Sequence, residues 1–159
     1  MEISFTVVEI IQAMLAPGIM ISACGLLLLG MNNKYSLVVN RIRLLGEERR
    51  KFSIKASQEE FLYQDEVRLK SISIQLEKLK YRVKLVRNAV FCYSVAVALF
   101  VFTSMQIGFS FVLHSKGSEP LIIVSFSLGM LLVFIGIAFA AAETIKGYEI
   151  INFETKADE

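Results

Sequence analysis

Three apolar runs without a charged residue interrupt an otherwise polar chain: 10–31, 89–113 and 121–142. Each reaches the roughly 20 residues that an α-helix needs to cross a hydrocarbon core of about 30 Å. Lipid offers no hydrogen-bond partner to backbone N–H and C=O groups, so a crossing segment of this kind must be helical. The runs lack the polar face expected of buried helices in a soluble core. The pattern therefore predicts three membrane spans.

Helical periodicity continues past the first run. Met31, Tyr35, Val38, Ile42 and Leu45 recur at intervals of four and three, so the first span is expected to run on as one helix. A break is expected around Phe52–Ala56, followed by Ser57 and Glu60 at capping-box spacing. Beyond it, Leu62, Leu69, Ile72, Leu76, Leu79, Val83, Val86 and Val90 follow a heptad, with Asp65 at the missing apolar position. That stripe enters the second span without interruption. At 1.5 Å per residue, 57–87 would extend about 45 Å beyond the membrane. The two stripes can bury each other in an antiparallel hairpin, and the longer one can also pack between subunits.

The first span carries Pro17-Gly18, the expected helix break, amid small residues Ala13, Ala16, Ser22, Ala23 and Gly25. These are expected to form a packing surface within the three-helix unit. The third span opens at Ser118-Glu119-Pro120, a capping hydroxyl, an acid and an early proline. Ser125/Gly129 and Gly136/Ala140 have the small-x-x-x-small spacing that lets helices approach closely. Gly147 is expected to end this helix, and 155–159 to be a disordered tail. The predicted fold is an all-α membrane protein with one membrane domain over 1–154. Its three transmembrane helices lie at about 10–31, 89–113 and 121–142, and the first two continue as a long cytoplasmic antiparallel hairpin over about 32–87.

Composition agrees: 55% of residues are hydrophobic and the mean hydropathy is +0.57. The distribution of charge adds orientation. Fourteen of the 17 basic residues fall within 32–87. None precedes the first span, and the loop 114–120 has only Lys116. Cytoplasmic flanks carry the Lys/Arg excess, which predicts an outer N-terminus and a cytoplasmic C-terminus. The start, MEISFTVVE, is acidic where a secretory signal is basic. Ile21-Ser22-Ala23-Cys24 has the look of a lipidation box, but the apolar run continues through Gly25–Leu29 where a lipoprotein turns polar. The first span is expected to be retained. Cys24 and Cys92 sit in apolar runs as small hydrophobes, without a disulfide or zinc pattern.

Enzyme signatures are absent from the sequence. His114 is the single histidine, so one chain offers no histidine cluster or triad, and no phosphate-loop or nucleophile-elbow motif occurs. No enzyme activity, cofactor, metal or nucleic-acid partner is expected. One face of the first helix invites a mechanism. Intervals of three and four link Glu2, Glu9, Gln12, Ala16, Ile19, Ala23, Leu26, Gly30 and Asn33. Copies arranged about an axis would present a Glu9 ring with Gln12 beneath it, suited to attracting cations, above apolar rings of Ile19 and Leu26 that gate by dewetting. Lys34, Arg41 and Arg43 would form a basic inner vestibule, which repels cations unless it is screened. The plainer alternatives are a Glu9 that reaches water at the interface, a Gln12 bonded to Ser104 or Gln106, and basic residues that set topology and touch anionic lipid headgroups.

The run Met14-Leu15-Ala16-Pro17-Gly18-Ile19-Met20-Ile21-Ser22-Ala23-Cys24-Gly25-Leu26-Leu27-Leu28-Leu29-Gly30, followed by Asn40-Arg41-Ile42-Arg43 and Glu47-Glu48-Arg49, resembles a family of small bacterial membrane proteins catalogued as domain of unknown function 2721. The resemblance covers most of the chain. It implies a three-helix protein of the bacterial inner (plasma) membrane, with no activity to carry over. The expectation for function is a homo-oligomeric channel or pore for small ions, lined by the first span. The alternative is a non-conducting scaffold or adaptor that binds partners through the hairpin.

Overall fold

The computed structural model describes residues 7–56, 63–112 and 119–157. It consists of three helices, α1 (Val7–Ala56), α2 (Tyr63–Val112) and α3 (Glu119–Ala157). All three are long and apolar enough to cross a membrane. As the periodicity predicts, α1 and α2 each carry an apolar run and a charged stretch in one unbroken element. Glu2, Ser57, Glu60, Leu62, His114, Lys116 and Ser118 lie outside the described residues, and with them both proposed capping groups.

Two of the expected helix interruptions do not occur. Pro17 lies inside α1, and the helix passes through Pro17 and Gly18 without ending. The proline removes one backbone donor, while its ring is buried. One turn later, the Ser22 hydroxyl donates to the Gly18 carbonyl at 3.3 Å. Gly147 does not end α3 either, because that helix runs on to Ala157. A Cβ there would lie 3.0 Å from Arg82 Nη2, so the guanidinium would have to give way by a few tenths of an ångström.

The chain resolves into two compact units. One comprises Met31–Asn88 and Phe139–Glu159. Here α1 and α2 pack as a hairpin on the predicted stripes: Val38, Leu45, Ile72, Leu76 and Leu79 are buried together, with Ile42, Phe52 and Val83 against them. Met31 and Val86 are also buried, whereas Leu69 is half-buried. Tyr35 departs from the pattern. It is exposed, and its neighbour Lys34 is half-buried in its place. Arg68 Nε donates to Glu48 Oε1 at 2.9 Å, linking the two helices at an exposed position.

The other unit comprises Met1–Gly30 and Ala89–Ala138. In it α2 lays aromatic rings over the small residues of α3. A Cβ at Gly129 would sit 2.8 Å from Phe100 Cε1, and one at Gly136 would sit 2.6 Å from Tyr93 Cε1. Both rings are buried, and Phe100 also meets Phe126 in a tilted contact with centroids 5.5 Å apart. The predicted small-residue contact of α3 is thus a set of sockets for aromatic rings. The same expectation fails for α1. Ala13, Ala16, Gly18, Ser22, Ala23 and Gly25 are all exposed, and a Cβ at Gly18 or Gly25 would meet nothing within 4 Å. Pro17 and Cys24, seven residues apart, are the buried residues of α1 in this unit among those whose side chains are described. Small residues permit close approach only on the face turned toward a neighbour, and in α1 they are turned away.

Substituting these glycines should separate the two cases. Gly136→Ala forces a methyl into the Tyr93 ring and should destabilise the protein by about 1–3 kcal/mol, as overpacking does. Gly25→Ala meets open space and should be neutral or gain up to about 1 kcal/mol from helix propensity. Thermal melts of the two variants in one detergent provide the comparison.

Candidate functional site

A buried carboxylate joins one residue from each helix. On α3, Glu143 follows the last apolar run directly, and its side chain is 1% exposed. Ala140, Glu143 and Gly147 are spaced by three and four, so Glu143 falls on the inward face of its helix. From α2, Arg82 donates through Nε at 3.1 Å and Nη2 at 2.5 Å, both to Glu143 Oε1. From α1, Lys34 Nζ donates to Glu143 Oε2 at 3.0 Å and to Thr144 Oγ1 at 2.9 Å. The Thr144 hydroxyl also lies 3.0 Å from the Ala140 carbonyl one turn back. Gly147 leaves space for the Arg82 guanidinium beside α3.

Burying a carboxylate is costly unless it is paired and its lone pairs are used. Here three charge-assisted hydrogen bonds from two cations reach both oxygens, the arrangement that offsets the desolvation best. The partners differ in exposure: the Arg82 side chain is 21% exposed and that of Lys34 is 43% exposed. Arg82 is therefore the principal counter-charge, and Lys34 supplies the link to α1 from a wetter position.

The residues proposed as a pore lining share a different fate. Glu9, Gln12, Ala16, Ile19, Ala23 and Leu26 are all exposed, and Gly30 and Asn33 continue the same exposed line. The face is therefore exposed in a single chain. The expected basic vestibule is divided. Lys34 belongs to the cluster with Arg82 and Glu143, whereas Arg41 and Arg43 are exposed. Gln12 is exposed, and the amide oxygen of Gln106, one of its suggested partners, accepts from Ser125 Oγ at 2.9 Å.

That serine belongs to a second polar group, within the unit of Ala89–Ala138. Thr103 Oγ1 and Ser125 Oγ lie 2.9 Å apart, Thr103 also reaches the Leu99 carbonyl at 2.8 Å, and Ser125 reaches the Ile122 carbonyl at 3.0 Å. These bonds satisfy two hydroxyls between apolar helices, a structural use of polar residues. Gln106 Nε2 is buried and unpartnered among the described residues. No group of three or more His, Cys, Asp or Glu able to hold a metal occurs among them.

Fold and site together define a three-helix protein with membrane-length helices and an ionic cluster that uses all three. Residues 14–153 match the model of a family described as protein of unknown function (DUF2721), and the chain belongs to that family. No curated protein and no solved structure matches it.

The unequal burial of the two cations leads to an ordered prediction. Arg82→Ala leaves a fully buried carboxylate with Lys34 alone and should cost about 3 kcal/mol, the scale for breaking a buried pair. Lys34→Ala removes the more exposed partner and should cost about 1 kcal/mol. Equal losses in thermal or denaturant unfolding would contradict this assignment.

Proposed function

We propose that the chain is a bacterial inner-membrane protein that assembles into a homo-oligomeric pore for small cations, with the exposed face of α1 about the axis. Each helix crosses the bilayer once, the N-terminus lies outside, and the 32–87 hairpin and C-terminus lie in the cytoplasm. The observation that carries the reading is the exposure of Glu9, Gln12, Ala16, Ile19, Ala23 and Leu26. One chain leaves this graded line, acidic, then amide, then alternately small and apolar, exposed along its length.

The ionic cluster removes part of an electrostatic objection. A basic vestibule opposes cation exit, but the Lys34 charge is met by the Glu143 carboxylate at 3.0 Å. The inner end of the pathway is accordingly less repulsive than the run of basic residues implies. Arg41 and Arg43 remain on the surface, where anionic headgroups can screen them.

A second reading has its own observation. Tyr63, Val67, Ile74 and Tyr81 of α2 are exposed on the charged hairpin and recur at helical intervals. They support a non-conducting scaffold that docks a partner through α2. Recovery of one stoichiometric partner by intact hairpin, lost on Ile74→Glu and Tyr81→Glu, would favour this reading over a pore.

Purified protein in liposomes tests the primary reading. Cation flux should appear and fall at least several-fold in Glu9→Gln, because the outer ring loses its charge. Absence of flux from the wild-type protein across pH and voltage contradicts a pore.

A further inference from the structure

We infer that the charged half of α1 carries a parallel coiled-coil interface for a second copy of this chain, centred on Leu37 and Leu44. The inference deepens the assembly part of the proposed function and does not depend on conduction.

Beyond Asn33, intervals of four and three continue to Leu37, Asn40, Leu44, Glu47, Lys51 and Ile54. All six are exposed, and the three apolar ones are well over half of the way to full exposure or close to it: Leu37 71%, Leu44 60% and Ile54 51%. The inner stripe of the same helix, Val38 and Leu45 with Ile42 and Phe52, is already used against α2. This part of α1 therefore has two apolar seams, of which the hairpin buries one.

Lipid does not explain the second seam. At 1.5 Å per residue, Leu44 lies about 20 Å along the helix from Met31, the last residue of the apolar run, and Ile54 about 35 Å. Arg41, Arg43, Arg49 and Arg50 occupy the intervening surface. Large apolar side chains repeated on a water-facing helix mark a surface for association.

The occupant follows from heptad order and from the shared orientation of copies in one bilayer. With Leu37 and Leu44 at a positions, Asn40 and Glu47 fall at d, Lys51 at the next a and Ile54 at the next d. Copies inserted in one bilayer share their orientation, so α1 helices meeting on this face run parallel and in register. Glu47 and Lys51 each face their own counterpart, and each also neighbours the opposite charge of the other copy in the adjacent layer. Asn40 forms a polar layer between two leucine layers, which favours one register.

Cysteine cross-linking of full-length protein in membranes tests the interface. In a Cys24→Ala/Cys92→Ala background, Leu37→Cys and Leu44→Cys should form disulfide-linked dimers at least ten-fold faster than Tyr35→Cys and Arg49→Cys, which are exposed on the opposite side of the heptad. Leu37→Arg/Leu44→Arg should shift the oligomer toward monomer while helix content by circular dichroism is retained. Equal cross-linking at all four positions, or cross-linking of Leu44→Cys only to Ile74→Cys of another copy, overturns the inference. Cross-links at 37 and 44 without ion flux uphold it while removing the pore. Flux without these cross-links removes the interface and leaves the pore.

Discussion

The Glu143 carboxylate is the constraint on which the packing of the unit Met31–Asn88 and Phe139–Glu159 turns. It is almost wholly buried, and an unpaired charge there would cost several kcal/mol. Arg82 of α2 offsets most of that penalty, and Lys34 of α1 adds the link to the first helix. Hydrophobic stripes are tolerant of sliding, since one leucine replaces another one turn on. A carboxylate with two cationic partners is not, and it fixes which turn of each helix meets the others. Gly147 belongs to the same constraint, because a side chain at that position would press on the guanidinium.

The helices and the α1–α2 seam were legible because they depend on hydrophobic period. Val38, Leu45, Ile72, Leu76 and Leu79 recur at helical intervals and are buried as that spacing requires. The third helix's seam was legible only in part. Gly129 and Gly136 announce close approach, but the side chains that fill the space, Phe100 and Tyr93, carry no such mark among the many aromatics of that run. Least visible was the column Gln75, Arg82, Ala89, Ala96 and Thr103 of α2. Its members recur every seven residues and are buried or half-buried, yet none is a large hydrophobe. Polar and small residues at that interval read as surface, yet Arg82 and Thr103 reach Glu143 and Ser125 of α3. Glu143 was obscured by its position, one residue past an apolar run, where an acid ordinarily begins a solvated tail. The spacing from Gly136 through Ala140 to Glu143 and Gly147 was the one signal that could have placed it inside.

α1 behaves differently from the other two helices. Pro17, Cys24, Met31, Val38 and Leu45, each seven residues from the last, form its buried line. Its small residues and the graded face from Glu9 to Leu26 lie elsewhere and remain exposed. A helix that turns its glycines and alanines outward satisfies its own chain with one narrow seam. The rest of its surface is available to lipid or to other copies. The proposed pore and the proposed coiled coil are two uses of that surface, the first in the apolar run and the second in the charged one.

A double-mutant cycle between Arg82 and Glu143 is the most direct measurement of the Glu143 constraint. Unfolding free energies of Arg82→Ala, Glu143→Ala and the double variant should give a coupling of about 2–3 kcal/mol, the upper part of the range for contacting residues. A coupling below about 0.5 kcal/mol, with the two losses simply additive, would contradict the claim that this pair fixes the packing of α2 against α3.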